Sequence, residues 1–236
     1  MTLKIGSYNI ANGSYVSHDL EKIADDVLAL DLDIVGLQEV DRLSGRSHHL
    51  DTMKVLAELT GYEHYYFSKA IDLPSPYGGE YGTGILSKYP IMFEETRLLA
   101  SGGSEQRVLG GVIIDVEGVD INFFNTHLSW EDDGIRQEQL ATIDEVTSRY
   151  DYCILTGDFN IKALTELASL TVLTGASNSN NPMPTYWREE TPPWPTECLD
   201  NVMYSEKFTL MACGVLNDRK NSDHYLLWAE VAFDLK

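Results

Sequence analysis

Short runs of strand-forming, largely apolar residues recur from one end of the chain to the other, at residues 4–10, 34–37, 84–87, 112–116, 121–125, 152–156, 201–204 and 225–231. Several are apolar without alternation, the pattern of a strand covered on both faces or lying inside a sandwich. Helical stripes lie between them. Leu20, Ile23, Ala24, Val27 and Leu28 share one helix face, with Ser17 as N-cap and Asp19 in the first turn. A second helix is expected from about Asp51 to Gly61, carrying Met53, Leu56 and Leu59 inward. A third is expected from about Gly134 to Tyr150, carrying Leu140, Ile143 and Val146. Strands that alternate with helices in places and form hairpins in others imply α+β or α/β layers, with sheets stacked and helices outside. No repeat, low-complexity tract or Gly/Ser linker interrupts the 236 residues, and 43% of them are hydrophobic, so one well-cored domain is expected.

Charge narrows the partners. Lys and Arg total 17 against 37 Asp and Glu, a formal charge of -20, and the mean surface field therefore repels duplex DNA and acidic membranes. A phosphate-bearing substrate must be attracted locally. The N-terminus lacks the basic and apolar regions of a signal peptide and no stretch is long enough to span a membrane, so a cytoplasmic protein is expected. Cys153, Cys198 and Cys213 are odd in number and widely spaced, which fits neither a disulfide framework nor a zinc knuckle.

Polar residues stand where the apolar runs end. Asn9 nearly ends the first, Glu39 follows 34–37, His127 follows 121–125, and Asp158 and Asn160 follow 152–156. Taken alone, such a carboxylate is more often a turn or capping residue, and such a histidine more often a satisfied surface or core residue. Together, Glu39, Asp158 and Asp223 supply hard oxygen ligands for Mg²⁺, Asn9 and Asn160 supply neutral amides, and His127 and His224 can donate to phosphate oxygens or transfer protons. That set suits metal-assisted phosphoryl chemistry. No His/Cys cluster for zinc and no Gly-rich Walker loop is present.

The strings Ser7-Tyr8-Asn9-Ile10, Leu37-Gln38-Glu39-Val40, Gly84-Ile85-Leu86-Ser87, Asn125-Thr126-His127-Leu128, Gly157-Asp158-Phe159-Asn160 and Ser222-Asp223-His224 resemble, in order, the motifs of the endonuclease/exonuclease/phosphatase superfamily. The resemblance implies a four-layer α/β/β/α sandwich of two stacked mixed β-sheets flanked by helices. It implies a metal site of Glu39, helped by Asn9 and Asp223, taking Mg²⁺ with Mn²⁺ able to substitute. It implies that Asp158 orients the attacking water, that Asn160 and His127 hold the scissile phosphate, and that His224 stabilises charge or acts as acid and base. Asp200 matches the strand aspartate that orients a catalytic histidine, and Arg107 a phosphate-facing arginine. The chain departs from the family pattern at Thr83, Asn201 and Leu226, which blurs the subfamily but leaves the metal and phosphate roles intact.

Three segments bear on substrate choice. Residues 41–49 concentrate Arg42, Arg46, His48 and His49, which reads either as a positive rim for a second anionic group, with Arg46 as its contact, or as a solvated loop. Tyr186-Trp187 and Pro192-Pro193-Trp194-Pro195 read as a rigid aromatic platform or as tryptophans packed under a loop. Tyr77, Tyr81 and the glycines 78, 79 and 82 read as a flexible rim or a plain turn. The function expected is hydrolysis of phosphate esters on a small molecule or lipid headgroup. A nuclease and a non-catalytic binding module are the alternatives, and duplex nucleic acid is not expected as a partner.

Overall fold

The computed structural model describes residues 1–187 and 197–235. In order the chain forms β1 (Thr2–Asn9), α1 (Leu20–Leu28), β2 (Ile34–Arg42), α2 (Thr52–Thr60), β3 (His64–Asp72), β4 (Glu80–Ser87), β5 (Ile91–Leu98), β6 (Val108–Val116), β7 (Val119–His127), α3 (Asp133–Thr147), β8 (Cys153–Asp158), β9 (Leu173–Gly175), β10 (Asp200–Ser205), β11 (Thr209–Leu216) and β12 (Leu226–Ala232). Hydrogen bonding joins them into two mixed six-stranded sheets, ordered β11-β12-β1-β2-β4-β3 and β5-β6-β7-β8-β10-β9.

Three apolar clusters fix the layers. Ile5, Ile34 and Ile85 of the first sheet meet Ile114, Phe123 and Ile154 of the second. Ile23, Val27 and Leu56 of α1 and α2 cover Val35 and Leu37 on the outer face of the first sheet. Leu140 and Ile143 of α3 cover Leu109, Phe124 and Leu155 on the outer face of the second. The result is the expected α/β/β/α sandwich, with each fully buried aliphatic side chain contributing about 1.5–3 kcal/mol.

Along the central strands the face between the sheets changes character. Side chains alternate with period two, so one face of β1 carries Leu3, Ile5, Ser7 and Asn9, all fully buried. The same face carries Ile34, Gly36 and Gln38 on β2, Ile121, Phe123, Asn125 and His127 on β7, and Ile154, Thr156 and Asp158 on β8. Each strand begins apolar and ends polar, at the same end of the sandwich. Register aligns these ends, pairing Asn9 with Gln38, His127 with Asp158, and Asp158 with Asp200 of antiparallel β10.

Where the face turns polar, Asn125 ties the two sheets together. Its Nδ2 donates to the carbonyls of Leu37 and Gly84, both at 2.8 Å, and its Oδ1 accepts from Gln38 Nε2 at 2.7 Å and Thr156 Oγ1 at 3.1 Å. Every hydrogen-bonding site of this buried amide has a partner, which such a residue requires.

Some local expectations are corrected. Ser17 lies in the left-handed region at φ 55, closing a 3-10 turn at Ala11–Val16, so α1 starts only after Asp19. Asp51 caps α2 by accepting from Lys54 N at 3.2 Å, and Gly61 ends it at φ 77. Leu28 and Leu59 are exposed rather than inward, each falling in the last turn of a short helix at the margin of its apolar stripe.

Candidate active site

Two backbone irregularities aim carboxylate and amide at the same place. In an unbroken β2 the alternation that turns Gln38 toward the second sheet would turn Glu39 toward the helices. Instead, the register with β4 slips between Leu37 and Val40, and Glu39 sits at φ 57. This β-bulge brings Glu39 round to Asn9, whose Nδ2 donates to Glu39 Oε1 at 3.1 Å and to Asp158 Oδ2 at 2.9 Å. Asn160, just past β8, also sits in the left-handed region, at φ 49. Its backbone N–H donates to Asp158 Oδ1 at 3.0 Å and its Nδ2 to the Leu128 carbonyl at 2.9 Å. Non-glycine residues held there cost about 1–3 kcal/mol each and cluster where function requires a set geometry.

Asp158 is the centre of the arrangement. It is almost fully buried, both oxygens accept N–H bonds, and His127 Nε2 and His224 Nε2 stand 3.5 and 3.6 Å from its Oδ2. The imidazoles differ in kind. Arg107 Nη1 donates to His127 Nδ1 at 3.1 Å, and since a guanidinium can only donate, the proton of neutral His127 must sit on Nε2, facing Asp158. Burial, then the Arg107 charge, push the His127 pKa down to about 3. His224 Nδ1 instead meets Asp200 Oδ2 at 2.7 Å. Burial alone would lower the His224 pKa, but the charges of Asp200 and Asp158 outweigh it and raise the value to about 10. Thr185 Oγ1 donates to the same Asp200 oxygen at 2.5 Å, fixing the carboxylate that fixes the histidine.

Burial, with Asp223 and Asp158 nearby, raises the Glu39 pKa despite the Asn9 hydrogen bond and the His224 charge. Three carboxylates crowded this way repel one another until a cation joins them, and their hard oxygens fit a divalent ion of the magnesium kind. Glu39 and Asp223 have oxygens to offer it. Asn9 Oδ1 already accepts from Ala11 N at 3.0 Å, so Asn9 serves chiefly to bridge Glu39 and Asp158. Asp158, Asp200 and His224 also lie within 4.8 Å of one another, but the His224–Asp200 and Thr185–Asp200 bonds make that group a hydrogen-bonded chain rather than a cage.

These groups open on a cleft of about 1010 Å³. Glu39, Arg46, Arg107, His127, Asp158, Asn160, Asp223 and His224 line it, while Asn9 and Asp200 lie directly beneath, bonded to the lining residues. Arg107 is buried behind His127 and paired with Glu105 at 2.8 Å, so it reaches the cleft mainly through the imidazole. Arg46 is held by Asp41 through two bonds of 2.8 and 2.7 Å, which neutralises the rim expected at 41–49. Trp187 is buried and donates to the Ser222 carbonyl at 3.0 Å, bracing the turn that carries Asp223 instead of forming a platform. Residues 192–195 fall outside the described residues. Tyr81 lines the cleft, whereas Tyr77 is exposed away from it. Trp130 and Lys162 also line it. Neither belongs to a motif of the sequence, and the one local signal is an indole three residues beyond His127, followed by Glu131, Asp132 and Asp133.

A four-layer sandwich of two mixed sheets whose strand ends gather carboxylates, amides and imidazoles around one cleft is the arrangement of a phosphoester hydrolase. The chain belongs to the Endonuclease/Exonuclease/phosphatase family, whose profile matches residues 6–224. An endonuclease/exonuclease/phosphatase from Beutenbergia cavernae is similar, with 25% identity and a TM-score of 0.81 over 98% of this chain and 72% of that one. A mannosyl-6-phosphatase of Bacteroides thetaiotaomicron shares the fold at 21% identity and a TM-score of 0.79, covering 98% of this chain and 100% of its own. The catalytic domain of human Nocturnin, solved with bound sulfate, does so at 19% identity and 0.74, over 99% and 94%. No protein of curated function matches by sequence. Among the described residues no helix is long and apolar enough to cross a membrane.

Proposed function

We propose that the chain is a Mg²⁺-dependent hydrolase of phosphate esters, a phosphodiesterase or phosphatase acting on a small molecule or lipid headgroup, with residues 1–236 working as one catalytic domain. The observation that carries this reading is Asp158, fixed by two N–H donors and flanked at 3.5 and 3.6 Å by the Nε2 atoms of His127, which is backed by Arg107, and His224, which is backed by Asp200. Glu39 and Asp223 would hold the cation, with Asn9 setting the spacing of Glu39 and Asp158. When bound, Mg²⁺ (or Mn²⁺) neutralises charge on the non-bridging phosphate oxygens.

Asp158 orients a water for in-line attack and receives its proton. His127 Nε2–H and Asn160 hold phosphate oxygens against the developing charge. As the P–O bond to the leaving group breaks, His224, kept as an imidazolium by Asp200, gives the departing oxygen a proton. Arg107 acts by holding His127 in its Nε2–H form, and Arg46, with Nη1 left over from its Asp41 pairing, offers the substrate a positioned donor.

The test is turnover of bis-(p-nitrophenyl) phosphate and a panel of phosphorylated metabolites with Mg²⁺, Mn²⁺ or chelator. Activity lost on chelation and reduced about 10²-fold or more in Asp158→Asn is expected. Metal-independent turnover, or an Asp158→Asn enzyme of wild-type rate, would refute the reading.

A further inference from the structure

One wall of the cleft takes no part in the chemistry above, and it is built around Trp130. This indole is 67% exposed, yet it stands on a firmly braced turn between β7 and α3. The Leu128 carbonyl accepts from Asn160 Nδ2. Ser129 is fully buried, its N–H donating to Gln139 Oε1 at 2.9 Å, its Oγ to Glu131 Oε2 at 2.7 Å, and its carbonyl accepting from Arg136 Nη1 at 3.3 Å. Arg136, itself buried, continues to Glu166 through Nε at 3.1 Å and Nη2 at 2.9 Å. Glu166 Oε1 then accepts from Lys162 N at 2.7 Å. One buried guanidinium thus fastens the Trp130 turn to the segment of Ile161, Ala163 and Leu164, which lines the same wall.

A buried arginine is costly unless every donor is matched. Here it stabilises a backbone whose outward product is a large apolar ring left in water. A single exposed aromatic is ordinary, but one set in a cleft on a pre-braced turn offers binding area with little ordering cost.

The charges of the cleft say what such a ring would meet. Among the described residues, each Lys or Arg lining it is already paired, Arg46 with Asp41 at 2.7 Å, Arg107 with Glu105 at 2.8 Å and Lys162 with Asp133 at 2.6 Å. A second phosphate or a carboxylate on the substrate would find no uncompensated cation and would face Glu197.

We propose that Trp130 is the specificity residue of the cleft, and that the organic part of the substrate is a ring with a flat, uncharged face laid against the indole. The proposal rests on the phosphohydrolase reading for the position of the phosphate. An indole face accepts the C–H face of a sugar ring and the π face of a base alike, so the test must separate those sources.

Calorimetry with Mg²⁺ would compare phosphonate analogues of a hexose 6-phosphate, a nucleoside 5′-phosphate and glycerol 3-phosphate, each as free acid and as methyl ester. The expected result is at least one ring-bearing analogue bound about 10-fold or more tighter than the acyclic one. That ratio should collapse toward unity in Trp130→Ala and largely return in Trp130→Phe, with melting temperatures unchanged. The better-bound ring identifies the source. Equal binding of ring and acyclic analogues, or a ratio untouched by Trp130→Ala, would overturn the proposal. Wild-type turnover of the corresponding esters is read separately, so a protein that prefers rings through Trp130 but cleaves none would sink the phosphohydrolase reading alone.

Discussion

His127 and His224 show how much a single partner decides at the scale of one residue. Both are buried and both face Asp158, but one has a guanidinium behind it and the other a carboxylate, and their proton affinities move in opposite directions. For His127 the consequence for stability has a definite sign. Its folded-state pKa, about 3, lies below the ordinary value near 6.5, so the unfolded chain takes up a proton in a range where the native one does not. The stability associated with neutral His127 is fully present above pH 6.5 and is lost as pH falls from there toward 3. The loss should reach about 1–2 kcal/mol by pH 5. In His127→Gln, which can still accept from Arg107, the melting temperature between pH 6.5 and 5 should fall less steeply than in wild type. Identical slopes would mean that His127 is not held neutral by burial and Arg107. None of this could be read from the string Asn125-Thr126-His127-Leu128, which gives the position of the imidazole but not what stands behind it.

Elements carry the site because the face between the sheets changes from apolar to polar along each central strand, and at Gly36 the sheets approach closely where the change occurs. A Cβ on Gly36 would run into Thr156 Oγ1 and lie 2.7 Å from Asn125 Oδ1, the acceptor through which Gln38 of the first sheet is tied to the second. Gly36→Ala should therefore force the sheets apart just beneath Glu39 and Asp158, costing about 1–3 kcal/mol, a fall in Tm of roughly 2–12 °C for a domain of this size. Activity should fall more than the lost stability explains, and an unchanged Tm would show that the approach is looser than described. The central strands were legible in sequence because burial on both faces leaves a continuous apolar run. The strands not foreseen are β3, β5, β9 and β11, which are the four edges of the two sheets. On β5, Met92, Phe93 and Leu98 are exposed beside Glu94 and Glu95, so no burial pattern survives to be read. The Glu39 bulge was equally hidden, since strict alternation assigns that residue to the opposite face. So was the anchor of the Asp223 turn on α1, where buried Asp26 accepts from Tyr8 Oη at 2.8 Å and Asn221 Nδ2 at 2.9 Å, a contact that joins residues nearly two hundred positions apart.

Taken as a whole, the molecule combines a formal charge of -20 with a site that must attract phosphate, and the two are reconciled by keeping positive charge local and enclosed. Against the effect of burial, Asp200 and Asp158 raise the proton affinity of His224 inside the cleft, and the carboxylates there favour a divalent cation. The basic side chains elsewhere are largely committed to acidic partners, Arg42 to Glu80, Lys88 to Asp31 and Asp33, and Arg219 to the Asp25 carbonyl and Asp26. Lys220, the neighbour of Arg219, lies over the Trp187 ring at 4.6 Å, so the pair preceding Asp223 does not form a phosphate track. A protein that grips duplex DNA replaces counterions with several lysines and arginines along the backbone, and its affinity falls steeply with salt in proportion to their number. With most of its described cations paired and its mean field negative, this chain should bind duplex DNA weakly and with a shallow salt dependence, while a small phosphate ester, needing only the cleft, is turned over under the same conditions. Plasmid nicking and filter binding between 50 and 200 mM salt measure both quantities. Efficient nicking together with an affinity that drops ~10³-fold over that range would require a basic surface incompatible with these pairings, and would shift the functional reading to a nuclease.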